Sequence, residues 1–376
     1  MSKKILITGG AGFIGSHLVD SLIEENHDIT VLDILEEQVH GLTHQPPHHF
    51  NKKAKFLHGS IVNYDNLCDL IKESDVIFHL AAMVGVSQSM YQIRKYIEHN
   101  ILGTANLFEI LTNEEHNVQK LIIASSNTVY GEGKYKCEKC GVIYPLLRSE
   151  KQLINSNWEV KCPHCGLEVK SLATDENTPF NSSSIYALSK QSQEQMGLLI
   201  GKTYGINTTV LRFFLVYGTR QALSNPYTGV CSIFSNRLLN GKPPIVFEDG
   251  LQSRDFVHVN DVCQALILAM ENEAANGEIF NVGTGQPITI KEVAETISEK
   301  INPDLRPEFN QQYRIGDIRH CVADISKINN KLGYKPNIKF RDGINDLINW
   351  IKNQHYKTID KSQNALDELK EKGLLK

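Results

Sequence analysis

Short apolar runs alternate with longer amphipathic stretches over the first 130 residues. The runs are KILITGG, DITVLDIL, AKFLHGS, DVIFHLAA and QKLIIASS. Each is apolar on both faces and bounded by turn residues, the pattern of buried parallel strands. Between them, SHLVDSLIEEN and NILGTANLFEIL carry helical periodicity. Strand–helix alternation predicts an α/β fold built on a doubly wound parallel sheet. The pattern spans residues 1–132 and resumes over 173–218 with a helix in YALSKQSQEQMGLLIGKTYG and the strand NTTVLRFFLVYG. Residues 219–352 read mainly as a smaller C-terminal substrate lobe, with a return strand, EIFNVG, to the main sheet. A charged, polar helical tail follows over 353–376, and residues 133–172 fit neither pattern.

Composition narrows the partners. A net charge of −4 without a basic stripe argues against nucleic acid or an anionic membrane surface. No apolar run reaches the ~20 residues of a membrane span. The N-terminal apolar run breaks at Gly9, too early for a signal peptide. These features predict a soluble, cytoplasmic protein with no nucleic-acid or membrane partner. Four of the eight cysteines, Cys68, Cys231, Cys263 and Cys321, lie in apolar or helical contexts and read as buried thiols.

The segment TGGAGFIGSH places Gly9, Gly12 and Gly15, with Phe13 and Ile14 between, directly after a strand and before a helix. Small residues there let the backbone approach a pyrophosphate, which the free N–H groups of the helix N-terminus then bind. Strand, loop, helix and next strand follow in order, as a Rossmann-type dinucleotide site requires. Asp33 closes the second strand, eighteen residues after Gly15 (33 − 15). An acid there accepts from the ribose hydroxyls and repels a 2′-phosphate, and no Arg or Lys follows in ILEEQ, so the cofactor is expected to be NAD.

Tyr186 and Lys190 of YALSK share a helix face, one turn apart. A phenol has a pKa near 10 and is a poor base at neutral pH. A neighbouring ammonium and a cationic nicotinamide would favour the phenolate, which could take a proton from a sugar hydroxyl. Ser126, ending QKLIIASS, is placed to hydrogen-bond the same hydroxyl.

Together these residues resemble the extended short-chain dehydrogenase/reductase family and its nucleotide-sugar epimerases. The likeness also rests on HLAA, NILGT, SSNTVYG, LRFFLVYG, RDFVHVND and NVGTG, and covers roughly residues 1–350 outside the insert. The resemblance implies Ser126, Tyr186 and Lys190 as the catalytic set. It implies Ser60, Ile61, Leu80, Ala81, Ala82, Asn100 and Phe214 around the cofactor, beside the glycine loop and Asp33. It implies Arg254, Arg314 and Asp317 holding the sugar nucleotide, with Val84 and Asn225 nearby. It further implies a homodimer through helices at about 90–112 and 185–203. Two positions depart from the family: Ser60 replaces an adenine-contacting acid, and Leu215 stands where galactose epimerases carry asparagine. The latter points to a less polar sugar, such as a 6-deoxyhexose.

The family shares oxidation at sugar C4. Dehydratases add an Asp–Glu pair after the catalytic Ser or Thr, and decarboxylases keep the Glu; here these positions are Asn127 and Thr128, neither usefully titratable. The reading is therefore C4 epimerisation through a transient 4-keto sugar. VGVSQSMYQ and RQALSNPYTGV resemble the dTDP-L-rhamnose 4-epimerase-like subgroup. A 4,6-dehydratase or 4-ketoreductase stays open, with Asp175 or Glu176 as an alternative acid.

The remaining segment, 133–172, holds Cys137, Cys140, Cys162 and Cys165 as two CxxC-G knuckles separated by 21 residues (162 − 140 − 1). Four thiolates suit a structural zinc, whereas a catalytic zinc keeps an open position. His164 reads as a surface residue. So short an insert needs a metal staple to hold its shape, with Trp158 and Tyr144 as an apolar face. It separates Ser126 from Tyr186 by 60 positions (186 − 126), which suggests a rigid lid or interface piece beside the sugar pocket. A non-catalytic regulator binding through the zinc ribbon is the rival class. Against it, Lys139, Arg148, Lys151 and Lys161 nearly balance Glu138, Glu150 and Glu159.

Overall fold

The computed structural model describes residues 2–376 apart from 43, 224, 226, 228 and 355–359. Ser224, Pro226 and Thr228 of RQALSNPYTGV therefore lie outside the described residues. Seven strands, β1 (Lys4–Thr8), β2 (Asp28–Asp33), β3 (Lys55–His58), β4 (Val76–His79), β5 (Lys120–Ser126), β6 (Asn207–Phe213) and β7 (Ile279–Val282), form the main sheet. Their order is β7-β6-β5-β4-β1-β2-β3, and every pairing is parallel. The strands are mostly apolar at their centres because both faces are covered. In β1, Ile5 and Ile7 join one buried cluster with Val31, Phe78 and Leu211, while Leu6 joins the other with Ile77, Ile123 and Val210. The chain winds outward from β1 to β3 and then crosses to β4. This order reversal opens a crevice at the carboxyl ends of β1 and β4, the usual ligand position in such sheets.

The smaller lobe is built around the strand Ser253–His258. It pairs in parallel with Leu215–Tyr217 and His320–Cys321 and antiparallel with Pro287–Thr289. Phe234, Phe256, Val293, Ile344 and Leu347 fill the core beneath it.

Residues 133–172 fold as a separate small unit. Strand Tyr135–Cys137 pairs antiparallel with Gly141–Ile143 and with Lys170–Ser171. Ser149 caps a short helix, Glu150–Ile154. The two ends of the unit meet: Leu172 donates its N–H to the Lys134 carbonyl at 2.8 Å, and Lys134 N–H donates to Thr174 Oγ1 at 3.3 Å. The unit's own apolar cluster is Tyr135, Cys137, Ile143, Val160 and Cys162. The expected apolar face of Trp158 and Tyr144 does not form. Tyr144 is exposed, and Trp158 turns outward onto Tyr313 of the lobe, ring centroids 6.3 Å apart.

The tail holds helix Ser362–Glu371, which buries Ala365 and Leu369. Beyond it the chain pairs with 313–315: Tyr313 N–H donates to the Lys376 carbonyl at 2.8 Å and Ile315 N–H to that of Leu374 at 2.9 Å. Among the described residues, no helix is long and apolar enough to cross a membrane. Cys68, Cys231, Cys263 and Cys321 are buried free thiols.

Candidate active site

One cleft of about 640 Å³ runs from the carboxyl end of the sheet into the smaller lobe. At its sheet end, helix Phe13–Glu24 begins at Gly12 with no side-chain cap. The uncapped first turn, Phe13, Ile14 and Gly15, lines the cleft and offers N–H groups to an anion. The glycines are sterically required. A Cβ on Gly9, where φ is +74°, would stand 2.8 Å from Ala81 N, and one on Gly15 would stand 2.4 Å from the Gly9 carbonyl oxygen. A dinucleotide pyrophosphate fits this cradle. Asp33, also on the cleft, is oriented by Ala11 N–H at 3.0 Å and Leu35 N–H at 2.9 Å, each to a different carboxylate oxygen. That leaves acceptor capacity for ribose hydroxyls.

Ile61, Leu80, Ala81, Ala82 and Phe214 line the same end. Ser60 and Asn100 stand behind it. Ser60 Oγ accepts from Val62 N–H at 3.1 Å, closing a turn. Asn100 clasps Met83, accepting from its N–H at 2.7 Å and donating to its carbonyl at 3.0 Å, and also donates to Ser189 Oγ at 2.9 Å. It sits in a π-helical turn, Ile97–Leu102, a distortion often found at functional sites. Asn100 thus shapes the loop carrying Ala81 and Ala82 from behind.

In the middle of the cleft, Ser184 caps helix Ile185–Tyr204 and sets Tyr186 in its first turn, with Tyr186 N–H donating to Ser89 Oγ at 3.0 Å. The Tyr186 phenol is near enough to Ser126 for the serine hydroxyl to favour its ionised form. Ser126 Oγ also accepts from Thr128 N–H at 3.2 Å and Thr128 Oγ1 at 3.0 Å. Lys190 Nζ donates to the Ala124 carbonyl at 2.8 Å. Burial raises the Tyr186 phenol to about 12, with the Ser126 hydroxyl pulling the other way. Burial lowers Lys190 itself to about 7. Asn127 and Thr128 line the cleft. Asp175 and Glu176 do not: Asp175 pairs with Lys134, and Glu176 accepts from Asn281 N–H at 2.8 Å.

At the lobe end, Arg254 donates to Asp317 Oδ1 at 2.9 Å, and Arg314 donates to Asp317 Oδ2 at 2.7 Å. Burial opposes ionisation of Asp317, but the two guanidiniums outweigh it and hold the carboxyl well below the usual range. Arg254 is buried, its other N–H groups bound to the carbonyls of Ser253, Ile318 and Arg319. Arg314 is 38% exposed and lies over the Phe247 ring. Val84, Asn225 and Leu215 line the cleft between these parts. Asn225 is held by Gln38, which donates to its side-chain oxygen at 2.9 Å and also exchanges hydrogen bonds with Gln88. This amide bridge has no sequence signal, since lone glutamines carry no spacing. The tail's Ala365, Leu366 and Leu369 also line the cleft; their i, i+4 spacing was the available clue.

The four cysteines of the insert converge, with Cys137, Cys140, Cys162 and Cys165 sulfurs all within 4.8 Å of one another. Tetrahedral zinc with ~2.3 Å bonds would set sulfurs about 3.8 Å apart, so the donor set fits. Burial disfavours a Cys162 thiolate, yet the backbone N–H groups of His164 and Cys165 help bring it down to about 6. His164 is exposed and outside the cluster.

Comparison with known proteins adds to this geometry. The family model described as GDP-mannose 4,6 dehydratase matches residues 6–141, and that of the NAD dependent epimerase/dehydratase family matches 166–283. The first match ends, and the second begins, within the cysteine insert. A Methanocaldococcus jannaschii protein, provisionally named a UDP-glucose 4-epimerase, is 35% identical over 93% of this chain and 99% of its own length. The dTDP-L-rhamnose 4-epimerase of Burkholderia thailandensis is 30% identical over 93% of this chain and 95% of the relative. A solved UDP-glucuronic acid 4-epimerase of Bacillus cereus, in complex with UDP-glucuronic acid and NAD, superposes with a TM-score of 0.77. Its identity is 27%, covering 94% of this chain and 100% of that one. The glycine cradle, the Ser–Tyr–Lys arrangement and these full-length relatives lead to one assignment: the chain belongs to the NAD dependent epimerase/dehydratase family, within the extended short-chain dehydrogenases/reductases.

Proposed function

We propose that this chain epimerises C4 of a nucleotide-activated sugar, with NAD retained through the cycle. The carrying observation is that Tyr186 and Lys190 line one cleft together with the glycine cradle and the Arg254–Asp317–Arg314 cluster. Bound NAD supplies hydride chemistry, accepting hydride from sugar C4 and returning it. The uncapped turn after Gly12 and Asp33 hold the cofactor's pyrophosphate and ribose. Arg314, backed by Arg254, offers charged donors to the substrate diphosphate. Ser126 orients the C4 hydroxyl, and Tyr186, as the phenolate that the Lys190 ammonium and a bound nicotinamide cation would favour, takes its proton and later returns it. Lys190, tied to the Ala124 carbonyl, fixes the helix face that presents Tyr186. Rotation of the 4-keto sugar in the cleft exposes its other face.

The sugar is a 6-deoxyhexose in this reading. Leu215 gives the cleft an apolar wall, and the rhamnose 4-epimerase relative spans nearly the whole chain. Asn127 and Thr128, rather than carboxylates, flank Ser126, which disfavours dehydration. Incubation with dTDP-L-rhamnose, UDP-glucose and UDP-glucuronic acid, followed by NMR at C4, tests the assignment. Inversion without net NADH is expected; stoichiometric NADH or a stable 4-keto-6-deoxy product rejects it.

We also infer a structural zinc on the four cysteines and a homodimer. The paired knuckles support the zinc, and about one metal per chain is expected by elemental analysis. The Cys137→Ser, Cys162→Ser double variant should lose it. The dimer reading rests on apolar residues exposed on and beside the helices at 90–112 and 185–203: Met90, Ile93, Ile97, Leu102, Leu188 and Leu199.

A further inference from the structure

The insert reaches the lobe end of the cleft through one side chain. Arg148 leaves the small unit and enters the lobe, where its side chain is 2% exposed. Its Nη1 donates to Glu248 Oε2 at 2.9 Å and to the Trp158 carbonyl at 3.0 Å. Its Nη2 donates to Glu248 Oε1 at 2.9 Å and to the Asp317 carbonyl at 3.1 Å. Arg254 grips the same stretch from the other side, through the carbonyls of Ile318 and Arg319 at 2.6 and 2.9 Å. The backbone at 317–319 is thus clamped between two guanidiniums, one from the lobe and one from the insert.

A second anchor runs in parallel. Arg319, wholly buried, binds Glu159 of the insert as well as Asp249 and Glu248 of the lobe. The carboxylate that orders both Arg254 and Arg314 therefore sits on a backbone whose position depends on an insert residue.

We propose that Arg148 is a positioning residue for the substrate diphosphate: by holding the Asp317 backbone it sets where Asp317 aims Arg314. Its fork matches a carboxylate and a carbonyl at once, which a lysine cannot reproduce. The inserted unit thereby acts on substrate affinity, although Arg148 also faces the buried Glu132 carboxylate, Nε to Oε1 3.6 Å. This inference rests on the reading of Arg254 and Arg314 as diphosphate contacts.

The test is calorimetric binding of UDP and dTDP to the full chain. Arg148→Met should weaken both by about 3- to 30-fold and lower the melting temperature, while NAD affinity holds near the parent value. In turnover, the loss should fall on KM and spare kcat. A folded Arg148→Met protein with parental nucleotide affinity overturns the proposal. Should burying Glu248 unpaired prevent folding, Arg148→Lys decides by the same measurement, because it keeps the charge and loses the fork. Arg314→Ala separates the two levels. If Arg314→Ala leaves UDP and dTDP affinity intact, the diphosphate reading falls; if it weakens them and the Arg148 variants do not, only the present inference falls.

Discussion

Tyr186 and Lys190 stand one helical turn apart, yet burial drives their proton affinities in opposite directions, up to about 12 and down to about 7. Tyr186 is the proton-transfer group of the proposed reaction, and Lys190 is held one turn away by the Ala124 carbonyl. Tyr186→Phe should therefore lower kcat by about 10²- to 10⁴-fold while leaving NAD affinity unchanged, as loss of a proton-transfer group does. Turnover at the parental rate would end the mechanism. Lys190 offers a pH test. Its folded pKa lies below its ordinary 10.5, so between pH 7 and 10.5 the unfolded chain binds a proton that the folded chain does not. Stability of the parent relative to Lys190→Met should rise with pH from about 7 to 9.5, as read by denaturant unfolding at several pH values. A flat difference would contradict the burial effect. Residue placement was legible where motif and context coincided: Gly9, Gly15, Asp33 and Tyr186 all line the cleft. The direction of the phenol shift was not legible, because desolvation depends on the packing around the ring and sequence spacing carries no such information.

Among the elements, the main strands were readable because burial on both faces leaves continuous apolar runs. The tail was not. Its sequence is polar, yet helix Ser362–Glu371 covers the lobe end of the cleft, with Tyr227 bonded to Glu368 and Arg237 donating to Ser362 Oγ at 2.8 Å. An amphipathic helix with only a narrow apolar stripe resembles any solvated helix until its neighbours are known. Ending the chain at Asn353 should raise KM for the nucleotide sugar about tenfold, equivalent to roughly 1.4 kcal/mol, and leave the NAD dissociation constant unchanged. Steady-state kinetics would show this, and an unchanged KM would reduce the tail to a surface ornament. Trp158 teaches the same lesson in reverse. Its bulk suggested a core for the insert, but its partner proved to be Tyr313, 155 positions away (313 − 158).

At the scale of the whole molecule, the parallel sheet and second lobe followed from the alternation of patterns, whereas contacts between insert, lobe and tail did not. Such contacts join residues far apart in sequence through single ion pairs and carbonyls, which no periodicity encodes. The exposed apolar helices give a prediction at this scale. Light scattering should report twice the 42.3 kDa chain mass, and Leu199→Glu, at a residue 65% exposed, should shift the population to the single-chain mass. A parental protein at the single-chain mass would remove the dimer.

The insert's two ends are hydrogen-bonded neighbours, with Leu172 bound to Lys134 across the base. Such a loop can be lengthened without disturbing what surrounds it, since strand order and register in the host sheet are indifferent to what hangs between two points already touching. The cysteine unit is in that sense a graft on a single stem. It could be pruned and the stem closed by a short turn, and what would then be missing is the arginine it carries to the substrate end, along with the Glu159 and Trp158 contacts to Arg319 and Tyr313.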